Sequence, residues 1–155
     1  MADIEKYISK HKNLNRGYRK LDVWKESINL FSSVKKKLNI TKNISFKIKA
    51  QIEDSGLSIP SNIAEGYSRR HLKETIQFNS VALASLSENY TQIIALLASD
   101  DINADWFEKY DKAHYSLENK LINYQKSILK KLIDKGEWNT NFRISEMVES
   151  YGMDK

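Results

Sequence analysis

Ser58-Ile59-Pro60-Ser61-Asn62-Ile63-Ala64-Glu65-Gly66-Tyr67-Ser68-Arg69-Arg70 holds the only proline of this 155-residue chain, set inside an apolar pattern of helical period. Ile44, Ile48, Ile52, Ile59 and Ile63 recur at fours and sevens, which predicts a helix from about residue 44, capped by Asn43 or Ser45. A proline in a helix interior removes an amide donor and crowds the carbonyl four residues back. That residue is Gly56, which has no Cβ to strain, so the pair predicts a kink that lets the helix follow its neighbours. Ser58, Ser61, Asn62 and Glu65 are expected to satisfy backbone groups freed at Pro60, the rival reading being a small polar site. Gly66 either supplies a left-handed C-cap or lets the helix run on toward Arg69.

The same logic extends outward. With one proline and five glycines the chain has few breakers, which favours long helices over many short strands. Leu21, Trp24, Ile28, Phe31, Val34 and Leu38 mark a helix that ends in Lys35-Lys36-Lys37, where cations suit the helix dipole. Leu72, Ile76, Asn79, Leu83, Leu86, Tyr90, Ile93 and Leu97 alternate steps of four and three, a seam about 40 Å long at about 1.5 Å per residue. Phe107, Tyr110, His114, Leu117, Leu121, Tyr124, Ile128 and Leu132 repeat the pattern, with Asn103 or Asp105 able to cap it. The fold class is therefore all-α. Four long helices fill residues 18–136; residues 1–17 form an extension expected to be mobile until docked, and residues 137–155 form another with a short helical pattern at Ile144, Met147, Val148 and Tyr151.

Composition narrows the function classes. No cysteine is present, so a disulfide framework and thiolate metal sites are excluded. No run of about 18 apolar residues suggests a membrane span, and the first residues lack a signal peptide's apolar core, so a cytoplasmic chain is expected. The net charge of +5 hides an asymmetry: residues 1–50 carry 13 basic against 4 acidic residues, +9, leaving −4 for the remainder. A basic first third suits a phosphate backbone, an acidic protein surface, or a neighbouring copy.

The Ser58–Arg70 block, with Leu21-Asp22-Val23-Trp24 before it and Gln77-Phe78 and Ala82-Leu83-Ala84-Ser85-Leu86 after it, resembles the proteins encoded within intervening sequences of bacterial 23S rRNA genes. The resemblance spans about residues 18–133. It implies an up-and-down four-helix bundle of antiparallel helices that assembles into a ring, commonly a homopentamer, associated with nucleic acid and without established enzyme activity. It also implies a fold shared with the accessory variability protein of diversity-generating retroelements, which works with a reverse transcriptase and RNA. One departure stands out: Gln51-Ile52-Glu53-Asp54-Ser55 replaces the family's Gln-Ile-Arg-Arg-Ala, a local change of four charge units.

Two basic clusters are candidate phosphate contacts: Arg16, Arg19 and Lys20 before the first long helix, and Arg69, Arg70 and Lys73 at the corner between the second and third. Glu53, Asp54 and Asn79 are candidate protein-interface residues, Asn79 because an amide on an apolar stripe commonly fixes register or assembly. Catalytic and metal readings find little support. A bundle metal centre needs two Glu-x-x-His units, and the chain offers only Asp111-Lys112-Ala113-His114, so neither a metal nor another cofactor is expected. No phosphate-cradling glycine loop or nucleophile elbow occurs. The expected function is that of a non-catalytic oligomeric scaffold binding RNA or DNA, structured RNA foremost. The alternative is a protein-interaction module or reverse-transcriptase accessory. Val23, Leu30, Phe78, Val81 and Ile94, left over by the core stripes, are expected to pack between copies.

Overall fold

The structure, a computed structural model, describes residues 4–134, and every regular element among them is helical. A short helix α1 (Ile4–Ile8) is followed by a 3-10 segment (Leu14–Lys20) and four long helices, α2 (Asp22–Ile40), α3 (Phe46–Ser68), α4 (Leu72–Ala98) and α5 (Ala104–Asp134). The terminal helix expected within 137–155 lies outside the described residues. No described helix is long and apolar enough to cross a membrane.

Side-chain pairs fix how the long helices run. Lys35 and Lys49 tie α2 to α3 through Glu53 (2.8 Å) and the Thr41 carbonyl (2.7 Å). Ser55–Gln92 and Ser58–Ser85 tie α3 to α4, Asn89–Tyr110 and Ser80–Gln125 tie α4 to α5, and Glu26–Lys120 and Lys37–Trp106 return α5 to α2. In each set one number rises as the other falls, so each helix is antiparallel to its two neighbours. Ser45 caps α3 by accepting from the Ile48 amide, and Asn103 does the same for Trp106 before α5.

The buried faces partly differ from the expected stripes. On α5 the expected Tyr110, His114, Leu117, Leu121, Ile128 and Leu132 are buried. On α4 the buried set is Leu72, Thr75, Asn79, Ala82, Ser85, Leu86, Asn89, Ile93 and Leu96, so Ile76, Leu83, Tyr90 and Leu97 only flank it. On α2 Val23, Ser27 and Leu30 are inside while Trp24, Ile28 and Phe31 are half-buried. Val23 and Leu30, expected between copies, thus belong to the core of their own chain. Ile48, expected on the core face of α3, is exposed. α3 continues through Gly56 and Pro60, and Gly66 is a buried helical residue, because the helix reaches Ser68 before Arg69 ends it.

A polar network runs through this core. Tyr110 donates to Asn89 Oδ1 (2.9 Å); Asn89 Nδ2 donates to the Ile52 carbonyl (3.1 Å) and to Ser55 Oγ (3.0 Å); Ser55 donates to Gln92 Oε1 (2.6 Å). Three helices are thereby locked in register by a network whose Ser55, Asn89 and Tyr110 are buried. Burial, with Tyr90 and Asp111 adding to it, pushes the Tyr110 hydroxyl far above its ordinary pKa, so it stays a donor. Tyr110→Phe orphans the Asn89 carbonyl oxygen and should cost about 1–3 kcal/mol in urea denaturation at neutral pH. Above pH 10.0, a free tyrosine's pKa, the unfolded chain loses that proton while the folded chain keeps it, so wild-type stability falls and the variant's deficit should shrink.

Candidate nucleic-acid interface

The 3-10 segment begins where Asn13 Oδ1 accepts the Arg16 amide (3.0 Å) and ends where the Leu21 amide reaches the Tyr18 carbonyl (3.0 Å). Tyr18 stands edge-on to Trp24 at 5.3 Å and to Tyr67 at 6.5 Å. Gly17 makes that contact possible, since a Cβ there would run into the Tyr67 ring. The segment is therefore docked on the last turn of α3. Because α3 stops at Ser68 and the chain turns into α4 at Leu72, the corner residues Arg69, Arg70 and Lys73 lie at the same end of the molecule as Arg16, Arg19 and Lys20. Two clusters about fifty residues apart in sequence thus share one end of the molecule. The expected division at residues 17 and 18 falls inside the 3-10 segment.

The six cations differ in what holds them. Arg19 spends its guanidinium on backbone carbonyls: Nη2 donates to Lys10 (2.9 Å) and His11 (3.1 Å), Nη1 to Tyr7 (3.4 Å) and Nε to Arg16 (3.3 Å). Arg16 reaches the His11 carbonyl at 3.4 Å. Arg69 pairs with Glu65, lies 3.9 Å from Glu74, and rests over the Phe78 ring at 4.6 Å. Lys20 and Arg70 are exposed and have no partner among the described residues, and Lys73 is exposed as well.

The corner itself depends on close helix approach. Thr75 Oγ1 donates to the Gly66 carbonyl (2.9 Å), and a Cβ on Gly66 would come 2.8 Å from the Phe78 Cβ. Elsewhere in the sequence block, Ser61 donates to the Leu57 carbonyl (2.8 Å) and Asn62 to the Ser58 carbonyl (2.7 Å). Those acceptors lie one and two residues beyond the Gly56 carbonyl that Pro60 deprives of an amide. Glu65, expected to help there, pairs with Arg69 instead.

The remaining candidates lie away from the basic end. Glu53 is tied to Lys35, and Glu53 and Asp54 sit about 24 Å from Arg69 along α3 at about 1.5 Å per residue. Asn79 is fully buried, with neither amide atom hydrogen-bonded among the described residues, so it is interior and not a surface for a partner. His114 is buried with Nε2 2.9 Å from the Leu86 carbonyl. Sequence reading missed Tyr67 as the junction and Lys12 and Lys25 as lining residues of the same end. The available signal was Gly17 inside Arg16-Gly17-Tyr18-Arg19-Lys20, a gap left for a large neighbour.

A sequence profile of the family described as 23S rRNA-intervening sequence protein matches residues 19–123, which include both the end of the 3-10 segment and the Arg69 corner. No curated protein matches the chain.

Gly66→Ala places its new methyl against the first side-chain atom of Phe78, where no rotamer change relieves the clash. The helices must part, and such overpacking costs about 1–3 kcal/mol, more than the gain in helix propensity of up to about 1 kcal/mol. Chemical denaturation should therefore show a net loss; equal stability would mean that the corner relaxes freely.

Proposed function

The chain belongs to the 23S rRNA-intervening sequence protein family, and from that premise we propose that it is a non-catalytic scaffold that associates with nucleic acid, foremost structured RNA, through phosphate contacts. In this reading its four long helices are an up-and-down four-helix bundle, with α3 bent at Pro60. Copies assemble into a ring, a pentamer being the expected size, in the bacterial cytoplasm. Leu57, Val81 and Ile94, each more than 40% exposed on α3 or α4, support assembly because apolar side chains on neighbouring helices gain by being covered. A ring repeats each basic end several times, so weak phosphate contacts add by avidity.

The single observation that carries the reading is the convergence of Arg16, Arg19 and Lys20 with Arg69, Arg70 and Lys73 at one end, joined through Tyr67. Lys20 and Arg70 are its contact residues, because their charges are not committed within the described chain. Arg69 and Arg19 position the surface. A protein-partner reading, such as a reverse-transcriptase accessory, draws on the exposed Asp54 beside the exposed Leu57, an acidic and apolar strip suited to a basic protein.

Filter binding to an RNA hairpin and to duplex DNA tests the proposal. Affinity should fall steeply with salt, and Lys20→Ala with Arg70→Ala should weaken binding to all sequences alike, making the log–log salt slope shallower by about two. Absence of binding at low salt would transfer first place to the protein-partner reading.

A further inference from the structure

The helix α1 is five residues long and buries none of them. What holds it is the Arg19 fork on the carbonyls of Tyr7, Lys10 and His11, helped by Arg16 on His11 and by Glu5 at 3.9 Å from Lys25. The turn that brings these carbonyls to the fork passes through His11 at a φ of 50°, a left-handed conformation that residues with a Cβ rarely adopt. Beneath lies a cavity of about 640 Å³, lined by Lys12, Arg16, Arg19, Lys20 and Lys25 and, among the described residues, by a single carboxylate, Glu5. A guanidinium that shares a cavity wall with four other cations is spent on neutral peptide oxygens. A phosphate offers the same fork two charged oxygens, the stronger and geometrically matched partner.

We infer that α1 is a displaceable strap over a phosphate site. An RNA backbone phosphate entering the cavity takes the Arg19 fork, the carbonyls of Tyr7, Lys10 and His11 are released, and α1 leaves with Glu5. Opening thus takes the Glu5 carboxylate away from the cavity wall, and phosphate binding and strap release reinforce each other. The inference rests on the nucleic-acid reading above and adds to it how that surface is regulated.

The test compares hairpin RNA binding by the full chain with binding by a variant lacking residues 1–11, which keeps Lys12 on the cavity wall, after circular dichroism has shown that both melt alike. The removed residues carry Lys6 and Lys10 against Asp3 and Glu5, two minus two, so charge alone predicts unchanged binding by the variant. A strap predicts binding about three- to tenfold tighter, because the closed population no longer subtracts from affinity. The gain should vanish in an Arg19→Gln background. In the full chain, RNA should also speed tryptic cleavage at Lys6 and Lys10. Equal or weaker binding by the shortened chain, a gain that survives Arg19→Gln, or protection of Lys6 and Lys10 by RNA would each overturn the strap while leaving the nucleic-acid reading in place. Failure of both chains to bind RNA would overturn that reading and the strap with it.

Discussion

The close approach of α3 to α4 through small side chains is the constraint on which the rest depends. Gly66 against Phe78, Ser58 against Ser85, and Ser55 against Asn89 bring the two helices together along about half of their length. Larger side chains at these positions would hold the backbones apart, since packed interiors have little free volume to give. The approach has two outcomes. It places Asn89 where it joins Ser55 to Tyr110 on α5, and it sets the tight corner from which Arg69 and Arg70 project. Core register and surface charge are fixed by one contact.

At the basic end, charge and role are separate matters. Arg19 and Arg69 look alike in sequence to Lys20 and Arg70, yet the first two are engaged within the chain. Arg69 is a bridge between helices through Glu65, Glu74 and the Phe78 ring, and exposed ion pairs of this kind contribute modestly while fixing geometry. Arg19 organises the turn that carries α1. The aromatic trio Tyr18, Trp24 and Tyr67 packs the 3-10 segment against α2 and α3 through edge-to-face rings, which add stability beyond the area they bury.

The helices were legible in the sequence because period, breakers and caps agreed. α5 matched most closely: its apolar residues are large and fall on one face, so hydrophobicity and burial point the same way. On α4 they diverge. The expected stripe and the observed face share Leu72, Asn79, Leu86 and Ile93, but at the steps between them the buried residues are Thr75, Ala82, Asn89 and Leu96. Ranking by hydrophobicity chose Ile76, Leu83 and Tyr90, which flank the contact, because a close helix pair buries small and polar groups at its centre. The same effect exchanged Trp24 and Ile28 for Val23 and Ser27 on α2. The basic residues were visible as two clusters, but their sharing one end depends on Tyr67 meeting Gly17, a contact between segments about fifty residues apart; Gly17 signals a large neighbour without saying which residue fills the gap.

The most direct test of the central claim, that the two basic clusters form one nucleic-acid surface, is photo-crosslinking of the full chain to hairpin RNA followed by mass-spectrometric assignment of the crosslinked peptides. The account predicts crosslinks in both residues 14–20 and residues 67–73 from the same RNA. Crosslinks confined to the opposite end of the helices, around residues 35–49, or to one cluster without the other, would contradict it.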